Sequence, residues 1–216
     1  YNPVKVVFGR GRINQVQSEA AKLGSRCLIV IGQGSVRKNG ILDKCIDMLD
    51  AIAVTHTLLQ GVQPNPRIEM VYEGIREARK FKADFILAIG GGSSIDTAKA
   101  IAAGVMYDGD PWDFYTMKAE VAKALPIMVL LTVAATGSEM NSISVIQNDS
   151  TRQKIRAQGH PMFPAVSILD PELTKTLPLD YTAYASVDII SHVLEGYFTS
   201  GDEHTPLQDG FTESVV

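Results

Sequence analysis

Three glycines and two serines in a row, residues 90–94, form the stretch of this chain best suited to hold a ligand. They follow an apolar run at residues 85–89 and precede apolar residues at helical spacing, with Asp96 in the first turn. Glycines let a backbone approach a ligand closely, and the free N–H groups of a helix N-terminus favour an anion, above all a phosphate. The alternative is a tight strand-to-helix turn without a ligand, and the residue types favour the phosphate site over it.

Asp188 and His192 are a second pair with ligand chemistry. They stand four residues apart in a long helical pattern, so both project from one helical face. A carboxylate oxygen and an imidazole nitrogen together suit a divalent iron or zinc ion. For such a pair taken alone, however, an Asp–His hydrogen bond along the helix is the commoner explanation. His56, His160 and His204 add nothing at metal-ligand spacing.

Buried strands must position the glycine run, and their pattern predicts the fold. The apolar run at residues 85–89 lacks the alternation of a half-solvated strand, which indicates a strand buried on both faces of a parallel sheet. Residues 27–31 and 54–59 are predicted as further strands, which lead into Gly32 and into a turn with prolines on both sides of Asn65. Strands and helices alternate with short links. This alternation predicts a doubly wound parallel α/β domain with ligands at the carboxyl ends of its strands.

The remaining segments are predicted to complete that domain and then to change character. Residues 144–157 form a predicted hairpin that presents Lys154. Trp112 lies in a loop and is interpreted as an anchor packed against the domain. From Asp180 onward the pattern becomes a long helix, predicted over residues 181–199. The other predicted elements are an edge strand at 4–8, strands at 125–133 and 165–169, and helices at 13–23, 41–49 and 68–81.

Composition excludes several classes of function. The 216 residues are 45% hydrophobic and 20% charged, which suits a large buried core. A net charge of −4 offers no basic field for nucleic acid. We find no apolar stretch that predicts a membrane span and no leader that predicts secretion. Cys27 lies in an apolar run and Cys45 in a helical pattern, so we expect buried thiols in a reducing cytoplasm rather than a disulfide.

Residues 90–99, GGGSSIDTAK, match the pattern GGGSxxDxAK, and here the chain resembles the iron-containing (group III) alcohol dehydrogenases. The resemblance covers nearly the whole sequence. The segment Pro-Trp-Asp at residues 111–113 is most similar to the NADPH-dependent butanol dehydrogenase-like branch. The other shared features are a strand segment at 2–9, the Pro-Asn-Pro turn at 64–66, a Thr-rich loop at 132–139, an Asp-Pro step at 170–171 and an aspartate and histidine at 188 and 192.

This resemblance implies which residues hold a cofactor and which hold a metal. Gly91, Gly92 and Ser93 would hold the pyrophosphate of a nicotinamide dinucleotide. Asp188 and His192 would be ligands of the catalytic metal, Fe²⁺ with Zn²⁺ as the alternative. The other residues expected to line the cofactor cleft are Asn65, Asp96, Thr132, Ser138 and Lys154.

The resemblance also implies a domain division and a reaction. Residues 1–179 would form the dinucleotide-binding domain, and residues 180–216 would begin a helical metal-binding domain that supplies two more histidines from a portion not included in this chain. The implied reaction is hydride transfer between a nicotinamide and a small primary alcohol or aldehyde of the butanol and butanal type, in a homodimer. The alternatives are a glycerol dehydrogenase or dehydroquinate-synthase-like relative, or a nucleotide-binding fragment without activity.

The end of the second predicted strand favours NADP(H) over NAD(H). NAD-using relatives commonly carry an aspartate there, which binds the adenosine ribose and would repel a 2′-phosphate. Gly32 occupies that place in this chain, followed by Gly34 and Ser35, which offer room and uncharged donors. Arg37 and Lys38 are close enough in sequence to assist, although solvated surface charges are the alternative explanation for both.

Overall fold

A computed structural model describes residues 1–198 and 205–216 of the chain. Its helices are α1 (Val16–Ala20), α2 (Ser35–Lys38), α3 (Ile41–Asp50), α4 (Ile68–Phe81), α5 (Gly92–Val105), α6 (Trp112–Tyr115), α7 (Leu179–Tyr197) and α8 (Pro206–Val215). Its strands are β1 (Lys5–Phe8), β2 (Arg26–Ile31), β3 (Thr55–Gln60), β4 (Phe85–Gly90), β5 (Ile127–Leu131), β6 (Ile143–Asn148), β7 (Gln153–Gln158) and β8 (Val166–Leu169).

The strand pairing confirms the predicted doubly wound parallel α/β fold. Six strands form one parallel sheet in the order β1-β8-β5-β4-β2-β3, and β6 pairs antiparallel with β7 in a separate hairpin. β1 lies at the sheet edge, as its short and partly charged sequence predicts. The direction of winding reverses between β2 and β4. In open α/β sheets a ligand binds outside the carboxyl ends of the strands at such a point.

Apolar cores on both faces of the sheet explain the unbroken hydrophobic strands. Leu28 and Val30 of β2 pack with α4 and α5, whereas Ile29 and Ile31 face the opposite way and pack with α1 and α3. All six residues of β4 are buried. Helices therefore cover both faces around the central strands, and no position of β4 needs a polar side chain.

Several local predictions hold and several boundaries move. Trp112 is 8% exposed and stacks on Tyr115 with ring centroids 5.0 Å apart, which confirms it as an anchor. The single helix predicted at residues 13–23 is a 3₁₀ turn at Arg12–Gln15 followed by the short α1. A residue far away in sequence fixes this turn, because Asp170 accepts a hydrogen bond from the Ile13 backbone N–H (3.1 Å). The helices α2, α6 and α8 were not predicted.

The long helix begins two residues before its predicted start, at Leu179, and is followed as far as Tyr197. Its predicted end at Thr199 lies outside the described residues, and so does His204. Among the residues that the structure does describe, no helix is long and apolar enough to cross a membrane. Cys27 and Cys45 are buried free thiols as predicted, and burial raises the pKa of Cys45 to about 12.

Candidate functional site

The glycine run joins the central strand to a helix, as predicted. β4 ends at Gly90, Gly91 precedes the helix, and α5 begins at Gly92. No side chain of the described residues caps this N-terminus, so the amides of its first turn face outward without a side-chain acceptor. A Cβ added at Gly92 would lie 2.5 Å from Thr136 Oγ1, and one at Gly91 would lie 3.0 Å from Val133 Cβ. A side chain at Gly92 would therefore collide with Thr136, one at Gly91 would be tightly packed, and the glycines keep the turn open to an anion.

A cleft of about 500 Å³ opens over this turn. Asp188 and His192 of α7 lie on its wall although they stand about a hundred positions away in sequence from Gly92. Thr136 and Asn141 also line the cleft and were not among the predicted site residues. The hydroxyl of Thr136 in the Thr-rich loop was the available signal for it. The predicted residues on the cleft wall are Asn65, Gly92, Ser93, Asp96, Ser138, Lys154, Asp188 and His192.

The other predicted residues lie beside the cleft rather than on its wall. Gly32 follows β2 next to the first turn of α5, since a Cβ added at Gly32 would be 3.9 Å from Ser94 Oγ. Ser35 begins α2, and Gly34 directly before it has a left-handed φ of 119° that favours glycine. The two remaining predicted residues are Gly91, before α5, and Thr132, after β5.

The hairpin of β6 and β7 forms one wall of the cleft and is fastened to the Pro-Asn-Pro turn. Lys154 Nζ donates to Asn65 Oδ1 at 2.8 Å. The Gln147 backbone N–H donates to the Pro66 carbonyl at 2.8 Å, and the hairpin tip adds an ion pair with Arg67 through Asp149. These contacts therefore fix the hairpin against the Pro-Asn-Pro turn. Lys154 brings a positive charge to the wall of the cleft.

Asp96 and Ser138, both predicted to line the cofactor cleft, are bonded to each other. Ser138 Oγ donates to Asp96 Oδ1 at 2.5 Å, and the Val145 backbone N–H donates to Asp96 Oδ2 at 3.0 Å. Burial raises the pKa of Asp96 above its ordinary value, although these two hydrogen bonds oppose the shift. The structure thus gives both carboxylate oxygens of Asp96 partners within the protein.

Asp188 and His192 project from one face of α7, as their spacing predicts. Asp188 Oδ1 and His192 Nε2 are 3.7 Å apart, too far for the hydrogen bond that was the alternative explanation. Both side chains are about half exposed and stand on the cleft wall. The oxygen and nitrogen donors fit Fe²⁺ or Zn²⁺. They supply two ligands only, because no group of three His, Cys, Asp or Glu side chains gathers in residues 1–198 and 205–216.

Comparison with known proteins places this architecture. Residues 3–171 match the family model described as iron-containing alcohol dehydrogenase. The chain is 47% identical over 214 residues to NADH-dependent butanol dehydrogenase A of Clostridium acetobutylicum, and the match covers 99% of this chain and 55% of that protein. It is 35% identical to the NADPH-dependent aldehyde reductase YqhD of Escherichia coli, over all of this chain and 56% of that protein.

A solved structure agrees with the sequence match. The crystal structure of NADH-dependent butanol dehydrogenase A from Thermotoga maritima superposes with a TM-score of 0.95 at 41% identity, covering 99% of this chain and 54% of that one. This chain therefore spans about half the length of the relatives that it matches. A family match over most of the chain and relatives at this identity lead to one conclusion. The chain belongs to the iron-containing alcohol dehydrogenase family.

Proposed function

We propose that this chain is the dinucleotide-binding part of a metal-dependent NAD(P)(H) alcohol dehydrogenase or aldehyde reductase. Its substrates are small primary alcohols or aldehydes of the butanol and butanal type. The observation that carries the proposal is the shared cleft, which brings the glycine turn at Gly92 together with Asp188 and His192. In this proposal residues 1–179 bind the dinucleotide, and residues 180–216 begin the metal-binding helical part.

Each part of the cleft has a separate role in this reaction. The amides at the start of α5 bind the pyrophosphate, and the ammonium of Lys154 adds a positive charge on the opposite wall. Asp188 and His192 are the residues that hold the metal. When bound, the nicotinamide supplies the hydride, and the metal supplies Lewis-acid polarisation of the substrate oxygen. The protein then contributes position and charge, and no side chain acts as a nucleophile.

The substrate class follows the relatives rather than the alternative reactions. The relatives described above are named as butanol dehydrogenases and an aldehyde reductase. A polyol or phosphorylated substrate, as in glycerol dehydrogenase or dehydroquinate synthase, is therefore not favoured. The name of a relative describes that relative, so the substrate of this chain is part of the proposal.

For the coenzyme we propose NADP(H), although the relatives divide on this point. The Clostridium and Thermotoga enzymes, at 47% and 41% identity, are named as NADH-dependent, whereas the Escherichia enzyme, at 35% identity, is named as NADPH-dependent. In this chain the adjacent ends of β2 and β3 carry Gly32 and Gln60, and neither is an acid. The amide Nε2 of Gln60 faces Gly34, where an added Cβ would be 3.6 Å away. An uncharged amide at this position can donate a hydrogen bond to a 2′-phosphate, whereas a carboxylate would repel it.

We also propose that the protein works as a homodimer in the cytoplasm. The outer edge of β1 has no partner strand in the described part of the chain, and Val6 and Phe8 on it are 42% and 68% exposed. An exposed edge with apolar side chains is able to pair with a second copy. Light scattering of the purified chain measures the mass that tests this pairing.

A coenzyme titration of the purified chain tests the proposed function. We expect NADPH to bind more tightly than NADH to the unchanged chain. Gly92→Val should weaken both by at least about tenfold, because its side chain would occupy the space between the turn and Thr136. Gly210→Val in α8 is the matched control, since nothing lies within 4 Å of its Cβ position. Failure of both dinucleotides to bind the unchanged chain would overturn the proposal, and equal or tighter binding of NADH would overturn the preference.

A further inference from the structure

Lys99 is a buried cation that contacts residues of the cleft wall from behind, on the side away from the proposed coenzyme. It lies on α5 seven positions after Gly92, and its relative exposure is 0%. Its ammonium Nζ has four acceptors within hydrogen-bond distance, which share its three N–H groups: the Ser138 carbonyl (2.6 Å), Ser138 Oγ (2.9 Å), Asn141 Oδ1 (3.0 Å) and the Ile143 carbonyl (2.9 Å). Three of the four acceptors belong to the segment between β5 and β6, and the fourth is the carbonyl of the first residue of β6. A buried ammonium is costly unless it is bonded in this way, so these contacts must stay formed.

A chain of hydrogen bonds connects this ammonium with the start of α5. Ser138 Oγ accepts from Lys99 and donates to Asp96 Oδ1, so one hydroxyl bridges the cation and the carboxylate. Ser144 Oγ donates to the Asp96 carbonyl at 2.8 Å. The segment 136–142 contains little regular structure, with one 3₁₀ turn at Ser138–Met140. The bonds to α5 therefore help to fix its position, together with the hydrogen bond from Ser167 Oγ of β8 to the Glu139 carbonyl (2.7 Å).

The same segment sets the width of the cleft at the glycine turn. Thr136 stands two residues before Ser138 and faces Gly92, with space for less than one methyl group between them. A shift of the segment away from α5 would thus widen the proposed pyrophosphate site. A shift toward α5 would close it. The bonds of Lys99 oppose both movements.

We propose that Lys99 is a positioning residue for the dinucleotide, which holds the cleft wall formed by residues 136–141 at a fixed distance from Gly92. This inference rests on the proposed function, since it concerns the same site. Lys99 touches neither the cleft nor the ligand in this arrangement. It acts through Ser138 and Asp96, so its charge controls coenzyme affinity indirectly.

If the charge of Lys99 matters, the affinity for the coenzyme should depend on pH. A purely structural role of the side chain would not produce that dependence. Burial lowers the pKa of Lys99 to about 8, against the opposing influence of Asp96 on the same helix and Glu139 on the 3₁₀ turn. Lys154 of β7 acts on Asp96 as well. As the pH rises through about 8, the ammonium loses a proton and can no longer serve all of its acceptors. We therefore expect the affinity of the unchanged chain for NADPH to fall over that range.

The experiment is a fluorescence titration of NADPH against the unchanged chain, Lys99→Met and Lys80→Met, from about pH 7 to about pH 9.5. Lys99→Met should bind about tenfold more weakly at the lower pH and lack the step near pH 8. Lys80 is an exposed residue near the end of α4, so Lys80→Met should keep both the affinity and the step. Both variants share Lys154 and the α-amino group with the unchanged chain, so the difference isolates Lys99.

Two further outcomes keep the test decisive. If Lys99→Met does not fold, Ser138→Ala replaces it, because it removes one acceptor and the bridge to Asp96 while Lys99 keeps three acceptors. Ser138→Ala should weaken NADPH binding severalfold. Equal affinity of the folded Lys99→Met variant and the unchanged chain, or no step in the unchanged chain, would overturn the positioning role while NADPH binding itself upholds the proposed function. Absence of dinucleotide binding in the unchanged chain would overturn both.

Discussion

The distance between Asp188 and His192 argues against a hydrogen bond along α7 and favours a role for the pair as metal ligands. A hydrogen bond along α7 would join Asp188 Oδ1 to His192 Nε2 and so engage the two atoms that lie nearest each other as candidate metal ligands. At 3.7 Å, Oδ1 and Nε2 do not form that bond, and both groups remain half exposed on the cleft wall. Glu195 Oε2 lies 3.9 Å from His192 Nδ1, on the other side of the ring. At that separation these two atoms do not form a hydrogen bond either.

Removal of either side chain should separate metal binding from coenzyme binding. In a protein of the relatives' full length that contains this chain, we expect Asp188→Ala or His192→Ala to abolish metal retention and aldehyde reduction. Coenzyme affinity should stay within about twofold, because the glycine turn lies on a different element and keeps its amides. Elemental analysis of the purified variants measures the metal, with His160→Ala as the control. Unchanged metal content in both variants would contradict the assignment.

Residues that depend on local sequence were predictable, and residues that depend on distant partners were not. The turn from β4 to α5 follows from its own glycines and from the apolar residues on both sides. Asp96 was predicted as a cofactor residue because it stands in the same motif. Its use of Ser138 and Val145 as partners depends on segments more than forty positions away, which no local pattern reveals. The same limit hid the burial of Lys99.

Among the elements, α1 and the edge strand β1 are connected through one buried carboxylate. Glu19 of α1 is 7% exposed at its side chain and accepts from Lys5 of β1 at 2.7 Å and from Lys22 at 2.8 Å. Burial alone would raise the pKa of Glu19, but the hydrogen bonds from Lys22 and Lys5 outweigh it and lower the pKa below its ordinary value of 4.5. The charged form is therefore favoured by folding. Its contribution is present above pH 4.5 and is lost as the pH falls through the pKa of the folded state.

Glu19→Gln should accordingly destabilise the fold in a pH-dependent way. We expect a loss of about 1 kcal/mol in the free energy of unfolding near neutral pH, a small value because both lysines are largely in solvent. The difference from the unchanged chain should shrink when the pH is lowered to about 3, because the unfolded state already binds the proton there and the contribution of the charge declines towards the pKa of the folded state. Urea denaturation at the two pH values measures it, with the exposed Glu120→Gln as the control. A loss of equal size at both pH values would point to packing rather than charge.

At the scale of the whole molecule, the α/β part buries its apolar side chains, whereas the helices α7 and α8 leave theirs largely exposed. The sheet has an apolar core on each face, whereas no described residue of α7 or α8 is fully buried. Val187 and Tyr184 on α7 are 65% and 68% exposed, and Phe211 on α8 is 67% exposed. Exposed apolar side chains in this number favour association with other surfaces. The relatives extend well beyond the region that this chain matches.

This contrast leads to a prediction for the 216-residue chain itself. It should bind the dinucleotide, because the glycine turn, the Pro-Asn-Pro turn and the hairpin wall are all in place around the cleft. It should reduce butanal slowly or not at all with NADPH and added Fe²⁺ or Zn²⁺. A catalytic site of this kind normally needs at least three protein ligands and one open position, and the described residues bring together only Asp188 and His192.

The measurement compares NADPH oxidation by this chain with that of a full-length butanol dehydrogenase under the same conditions, and it includes metal analysis after gel filtration. Two ligands on one helix cannot surround an ion or exclude water from the path of the hydride, so metal retention and turnover should be low together. Retained metal without turnover would mean that Asp188 and His192 bind the ion but that the substrate is not positioned for hydride transfer. Turnover close to that of the full-length enzyme would show instead that the cleft described here is catalytically complete.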